Sequence, residues 1–290
     1  MNSNQEKIFG EGSNYYSEIS DNVIKEIKNE KTSKIKFSFT DVNFFEKVLL
    51  ENGIEVSMKL YWVETMQRIY LATISGYLRQ YDWVQGINLA YNANNYNLFC
   101  AAVRSFMEAS CDMYYSLAAI PLTVSSIAEP IKQAFAGELS EILISPEMEQ
   151  SLLHFQEAKK RKKENDTPSY LYPETARTYL EHPHLRNLNL YKTYSELCEI
   201  THPAKQSLNI FLNEDNYEYS FIINSEANIA EFIKQNKYQL KELYMYTNNI
   251  LILLLKTLNY FGADYYTKAV DTVNCETIPM WSKIRQSLQG

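Results

Sequence analysis

Arg104 and Glu108 lie one helical turn apart in the segment Tyr96–Ile120, whose side chains are apolar on almost every side. An arginine in such a helix needs a partner, and an i,i+4 ion pair with Glu108 would supply one. The alternative is an arginine kept in a cleft, where its N–H groups bind phosphate or another anion. The residues alone leave both interpretations open, a core ion pair and an anion site.

His202 ends a second candidate helix, residues 187–202, because Pro203 disfavours its continuation. Tyr194 and Cys198 share one face of this helix with His202. The negative end of the helix dipole stabilises an imidazolium, so His202 could act as an acid or contact a phosphate. The alternative is a capping histidine that bonds a backbone carbonyl.

These two segments resemble a known group of proteins. The Arg-x3-Glu of Arg104 and Glu108 and the stretch Tyr194–Pro203, which reads Tyr-x2-Leu-Cys-x3-His-Pro, are similar to motifs of bacterial all-helical proteins related to the HEPN superfamily. Those proteins usually have Ser where this chain has Cys198. The resemblance covers about residues 98–203.

The resemblance implies an RNA-binding protein or a metal-independent ribonuclease. Arg104 would then orient phosphate, His202 would be the acid or base, and Glu108 and Tyr194 would support them. In such a reaction the 2′-hydroxyl attacks the adjacent phosphate, so neither a metal nor a cofactor is expected. HEPN relatives often dimerise and act in toxin–antitoxin or antiviral defence systems, which makes RNA and a second copy of the chain the implied partners.

Arg177 and His182 form a second candidate centre. HEPN ribonucleases carry an Arg-x4-6-His motif, and Arg177 has this spacing to both His182 and His184. The family usually has Asn, Asp or His directly after the Arg, whereas this chain has Thr178, and Pro183 interrupts the segment. The alternative is an exposed arginine beside a His-Pro-His loop.

A dense cluster of positive charge stands out in a chain of formal net charge −7. It is formed by Lys159, Lys160, Arg161, Lys162 and Lys163. This run could anchor a nucleic-acid backbone, or it could be a solvated helix end. The acidic balance argues against a protein that coats nucleic acid with its whole surface. The His-x-His pair at 182 and 184 lacks a matching pair of ligands, so no metal site is expected.

The composition determines the expected fold class. The chain has 290 residues, 46% of them hydrophobic, with only 8 Gly and 8 Pro. These values exclude disorder and argue against β-sandwiches, glycine-rich phosphate loops and dinucleotide-binding folds. The pattern predicts a mostly α fold, a helical bundle with long helices and a small β-hairpin or short strand.

The pattern also predicts where the elements lie. The expected order is a polar tail over 1–14 and one helical domain over 15–290, with a flexible basic loop near 158–172. The predicted elements are a strand at 34–40, helices at 55–81, 96–120 and 225–261, and a hairpin formed by 208–212 and 217–223. The run Asn92–Asn97 supplies caps for the helix that follows it.

The chain shows no pattern typical of export or membrane insertion. Its first residues are polar and acidic, and the longest aliphatic run, 250–255, is far shorter than the roughly 20 residues that a membrane-spanning helix needs. A cytoplasmic protein without a membrane partner is therefore expected. The rival to the RNA hypothesis is a non-catalytic helical module that binds a partner protein or oligomerises.

Overall fold

The computed structural model describes residues 4–28, 36–160, 162, 167–203, 205–216, 218–222, 224–262 and 266–289. Over these residues the chain is mostly helical and has one two-stranded antiparallel sheet, so the predicted fold class is confirmed. In the same part of the chain, no helix combines the length and apolar character needed to cross a membrane.

The helices and strands follow one another in a simple order. The helices are α1 (Gln5–Phe9), α2 (Ser13–Ile27), α3 (Val42–Asn52), α4 (Ile54–Asn92), α5 (Tyr96–Leu117), α6 (Ile120–Ser126), α7 (Ala128–Ala136), α8 (Pro146–Glu157), α9 (Ala176–Leu180), α10 (Leu190–Thr201), α11 (Lys205–Asn209), α12 (Ser225–Phe261) and α13 (Trp281–Gln289). Strand β1 (Leu212–Asp215) pairs with β2 (Glu218–Phe221), with Leu212 opposite Phe221.

The contacts divide the chain into two compact units. The first unit comprises Met1–Ser20, Leu78–Tyr115 and Glu174–Asn248. The second unit comprises Asp21–Tyr77, Ser116–Pro173 and Asn249–Gly290. Each unit therefore combines three segments that are far apart in the sequence, and the single domain expected over 15–290 stays a prediction.

Aromatic side chains from α1, α5 and α12 meet in the core of the first unit. Phe9 is fully buried, with its ring centroid 5.5 Å from that of Phe106 and 4.8 Å from that of Tyr244. The segment expected to be a polar tail therefore contains a short packed helix. The expectation failed because Ile8 and Phe9 are isolated apolar residues in a polar stretch, and burial of their side chains outweighs the polar character of their neighbours.

Buried hydrogen bonds connect α12 to its neighbours within the first unit. Gln80 Nε2 donates to Thr247 Oγ1 over 2.6 Å, and Thr193 Oγ1 donates to Asn236 Oδ1 over 2.8 Å. Because buried polar groups are costly without partners, these bonds fix the register of α4 and α10 against α12.

The second unit has its own core around Trp62. This side chain is fully buried and donates its Nε1–H to the carbonyl of Leu143 over 3.1 Å. The strand predicted at 34–40 is not found over 36–40, and residues 34 and 35 lie outside the described residues. Thr40 donates its backbone N–H to the Glu64 carboxylate instead of to a partner strand, which explains this difference.

The predicted hairpin is present, but its first strand begins where the predicted one ended. α11 and a turn, in which Phe211 N–H bonds the Leu208 carbonyl over 2.9 Å, occupy the segment predicted as the first strand. The apolar residues at 208–212 therefore belong to a short helix and a turn, where Leu208 and Phe211 remain exposed.

Candidate functional site

Arg104 on α5 and His202 at the end of α10 are in direct contact within the first unit. The Nη1 atom of Arg104 lies 3.0 Å from Nε2 of His202 and donates to Oγ1 of Thr201 over 3.3 Å. The proximity of Arg104 and His202, expected from the apolar and aromatic faces of their helices, is therefore confirmed. Their catalytic roles stay predictions. We call this pair the Arg104–His202 centre.

The contact limits which ring nitrogen of His202 can bond Arg104. A guanidinium group has only donors, so a hydrogen bond between these atoms requires Nε2 of His202 to accept. The expectation that the helix end favours the charged imidazole stays a prediction. A proton on Nε2 would bring two donors face to face and break the contact with Arg104.

His202 also faces solvent through an open cavity. His202 is exposed and lines a cavity of about 430 Å³, together with Thr201 and other residues of α5, α10 and the segment that follows α10. Arg104 is partly buried, and its Nε is a buried donor without a hydrogen-bond partner in the described structure. The centre therefore combines a solvent-accessible imidazole with a held guanidinium.

Glu108 pairs with Tyr194 and not with Arg104. Tyr194 donates its phenol O–H to Oε1 of Glu108, and no ion pair joins Arg104 to Glu108, both of which are described. Of the two interpretations left open, the i,i+4 core pair is therefore wrong, because the tyrosine from α10 takes the carboxylate and Arg104 turns towards Thr201 and His202. Burial, reinforced by the bonded carboxylate, raises the pKa of Tyr194, so the phenol keeps its proton.

The structure does not bring the second candidate pair into contact. Arg177 is exposed and forms an ion pair with Glu181, with 2.9 Å between Nε and Oε2. No hydrogen bond or ion pair joins Arg177 to His182, and both residues lie in the described part of the chain. α9 ends at Leu180, so the chain turns between the two side chains before they could share a helix face.

His182 lies in an aromatic cluster of the first unit. Its ring centroid is 5.4 Å from that of Tyr114 and 5.5 Å from that of His184. Its Nδ1 is buried without a hydrogen-bond partner in the described structure. Burial, with a smaller contribution from the charge of His184, lowers the pKa of His182.

The basic run lies beyond the end of α8. This helix ends at Glu157, so Lys159, Lys160 and Lys162 are exposed side chains of a following segment and not of a helix end. Lys159 N–H bonds the carbonyl of Leu171 over 3.2 Å, which ties the start of the run to a later turn. Arg161 and Lys163 lie outside the described residues. A search of the described residues for groups of three or more His, Cys, Asp or Glu that could hold a metal ion gives none.

A second cavity in the first unit was not predicted. It has a volume of about 280 Å³, and its polar lining consists mainly of asparagine amides, those of Asn94, Asn95, Asn97, Asn224 and Asn228. We call it the asparagine-lined cavity. The run Asn92–Asn97 indicated helix caps, and a cap pattern does not reveal that residues from near 224 lie opposite. Asn97 also lines the cavity of His202, so the two cavities adjoin.

Comparisons with known proteins give no relative for this chain. No family model matches it, and no curated protein and no solved structure matches it either. The function proposed below therefore rests on the geometry of the chain's own residues and on the resemblance of its motifs.

Proposed function

We propose that this protein binds RNA and cleaves its backbone by metal-independent transesterification at the Arg104–His202 centre. The observation that carries the proposal is the 3.0 Å contact between Arg104 Nη1 and His202 Nε2, with His202 lining an open cavity. Arg104 is not among the residues that line this cavity, but its contact with His202 places the guanidinium next to a phosphate bound there. This reaction needs at least a fixed cation to stabilise the charge on the phosphate and an imidazole to transfer a proton.

The reaction begins with an exchange of hydrogen bonds. A bound phosphate accepts the charge-assisted bonds of the Arg104 guanidinium, which releases Nε2 of His202. Nε2 then takes the proton of the 2′-hydroxyl as that oxygen forms a bond to phosphorus. The bond from phosphorus to the 5′-oxygen breaks, and the 5′-oxygen takes a proton from solvent. The products are a 2′,3′-cyclic phosphate and a 5′-hydroxyl. Arg104 stabilises the negative charge that develops on the phosphate oxygens in the transition state.

Other parts of the chain support this centre. Glu108 and Tyr194 join α5 to α10 through side chains, which holds Arg104 opposite His202. The basic run that begins at Lys159 would attract the RNA backbone. The HEPN resemblance adds a cytoplasmic role in toxin or phage-defence systems and a homo-oligomeric state to the proposal.

The test uses purified full-length protein, mixed RNA substrates and chelator throughout. We expect cleavage that leaves cyclic phosphate ends. Arg104→Ala and His202→Ala should each lower the rate by about 100-fold or more, because a positioned acid or base contributes that much. The matched control is Arg186→Ala, which removes an exposed arginine from the first unit, and His184→Ala tests the other histidine at the Arg-x4-6-His spacing.

Two outcomes would contradict the proposal. Loss of cleavage with Arg177→Ala and His182→Ala, but not with Arg104→Ala or His202→Ala, would move the centre to the second pair. A wild-type protein that neither cuts nor binds RNA at any salt concentration would contradict the RNA function altogether.

The rival function is a helical protein-interaction module. The observation in its favour is the exposed apolar surface at the hairpin, where the side chain of Phe221 is 87% exposed and that of Tyr219 is 63% exposed. A stable oligomer in sedimentation experiments, without any RNA binding, would support this rival.

A further inference from the structure

Arg104 carries a positive charge that no carboxylate pairs with in the part of the chain that the structure describes. Its Nη1 bonds the hydroxyl of Thr201 and the ring of His202. That hydroxyl donates its own proton to the carbonyl of Leu197 over 2.8 Å, so its oxygen accepts from the guanidinium. The Nε of Arg104 is buried without a partner among the described residues. A partly buried guanidinium without a carboxylate is costly, which favours an anionic ligand.

A carboxylate that could neutralise this charge lies one helical turn away. Glu108 follows Arg104 by four residues on α5, the spacing at which side chains of opposite charge pair on a helix. Instead, Oε1 of Glu108 accepts the phenol O–H of Tyr194 from α10. Burial, reinforced by this carboxylate, raises the pKa of Tyr194, so the phenol keeps the proton that it donates. The bond from Tyr194 therefore occupies the carboxylate nearest to Arg104 along the helix.

We infer that Tyr194 keeps the Arg104 guanidinium available for a phosphate by holding the Glu108 carboxylate in a bond of its own. Tyr194 is a positioning residue, because it acts on the phosphate only through Glu108 and Arg104. The inference rests on the proposed function, since it takes a phosphate as the ligand of Arg104. It differs from a simple link between α5 and α10, because the charge of Glu108 should oppose phosphate binding once the tyrosine hydroxyl is removed.

Two single variants and their combination separate the two roles. Tyr194→Phe frees the carboxylate to pair with Arg104, so phosphate should bind about tenfold more weakly, the effect of losing one charge-assisted hydrogen bond. Glu108→Gln removes the negative charge and keeps an oxygen that can accept from Tyr194, so phosphate should bind at least as tightly as to the wild type. The double variant has neither the hydroxyl nor the charge and should bind phosphate nearly as well as the wild type. A simple link between the helices predicts instead that the double variant binds as weakly as Tyr194→Phe.

Binding is measured with inorganic phosphate and full-length protein at constant pH and ionic strength. NMR of ¹⁵N-labelled histidine reports it, because a phosphate that takes the bonds of Arg104 releases Nε2 of His202. The variant His202→Ala assigns the signal. Tyr219→Phe is the matched control, since Tyr219 donates to Glu214 on the exposed hairpin and its loss should leave phosphate binding unchanged.

A double-mutant cycle in urea tests the same pairing without any ligand. Arg104→Met and Glu108→Gln are made alone and together, first in the wild type and then in the Tyr194→Phe background. We expect a larger coupling between the two changes in the Tyr194→Phe background, where the ion pair can form. Equal coupling in the two backgrounds would overturn the inference.

The results distinguish this inference from the proposed reaction. Phosphate binding that Tyr194→Phe weakens and the double variant restores, in a protein that cuts no RNA, would support the inference and overturn the reaction. RNA cleavage by a wild type whose phosphate affinity is the same in all three variants would support the reaction and overturn the inference. A double variant that binds phosphate as weakly as Tyr194→Phe would also overturn the inference. A wild type that neither binds phosphate nor cleaves RNA would overturn both.

Discussion

The hydrogen bond from Tyr194 to Glu108 is a residue-scale contact that the stability of the first unit should depend on. Tyr194→Phe removes the donor and leaves a partly buried carboxylate without it, so we expect the free energy of unfolding to fall by about 1–3 kcal/mol. Glu108→Gln keeps an acceptor oxygen and should cost less. Urea titration followed by circular dichroism measures both changes.

A matched control exists on the hairpin. Tyr219 donates to Glu214 over 3.0 Å, but its side chain is exposed, so Tyr219→Phe should change stability little. If Tyr194→Phe costs no more than Tyr219→Phe, the partly buried bond contributes nothing beyond a surface bond.

His182 should make stability depend on pH. Burial lowers its pKa from the ordinary value of 6.5, so the unfolded chain binds a proton more tightly than the folded chain. The free energy of unfolding should therefore fall as the pH decreases below about 6.5, and this loss is absent well above that pH. His182→Gln should reduce the loss between pH 7.5 and 5.5 in thermal melts. His184→Gln removes only the smaller contribution of the neighbouring charge, so it should reduce the loss less, and an equal effect of the two variants would contradict the leading role of burial.

Part of the candidate site could be predicted from single residues. Helical spacing placed Arg104 and His202 on faces that turn inward, and this was enough to expect them to meet. Spacing within one helix does not show which side chain of another helix will bond the Glu108 carboxylate. The bond from Tyr194 to Glu108 was therefore not predicted. The asparagine-lined cavity needs residues near 95 and near 224 together, a contact that only the folded chain reveals.

At the scale of elements, a buried pair of polar side chains joins α4 to α12. Gln80 Nε2 donates to Thr247 Oγ1, and both residues are buried. Thr247→Val keeps the shape but leaves the amide without its acceptor, so we expect a loss of about 1–3 kcal/mol in the free energy of unfolding. The double variant Gln80→Leu with Thr247→Val should recover much of this loss, which a double-mutant cycle in urea measures.

The control for this cycle is another buried threonine. Thr257 donates to the carbonyl of Leu253 within α12, so Thr257→Val removes a hydroxyl without leaving a partner on another helix. If Thr257→Val costs as much as Thr247→Val, the bond to Gln80 is not the cause of the loss.

Local signals set the bounds of some elements and not of others. α12 was predicted with its observed bounds. Asp41 caps α3 by accepting Phe44 N–H over 2.8 Å. The helix predicted over 55–81 continues to Asn92, because no Pro or Gly cap stops it before Asn94 adopts a left-handed conformation. The helix predicted over 96–120 ends at Leu117, and Pro121 lies in the first turn of α6, where its missing N–H costs nothing.

At the scale of the whole molecule, a net charge of −7 repels RNA, so the affinity for RNA should depend on a small number of lysine and arginine side chains. Replacing Lys159, Lys160 and Lys162 together by Ala should weaken RNA binding at low salt. It should also lower the slope of log affinity against log salt by up to roughly two, since each phosphate contact to a single strand contributes about 0.7. Replacement of the exposed Lys234, Lys237 and Lys205 is the control. Equal slopes for the two triple variants would show that the run makes no special contact.

The interleaving of the two units has a consequence for how the protein is made. The first unit begins within the first 20 residues and is not complete until residue 248, and the second extends to the last segment of the chain. At about 5–20 residues per second, a ribosome needs roughly 10 to 50 s to pass from residue 20 to residue 248. Neither unit can close its core during that time, so Phe9 and other buried apolar side chains of early segments must wait in contact with water or with a chaperone.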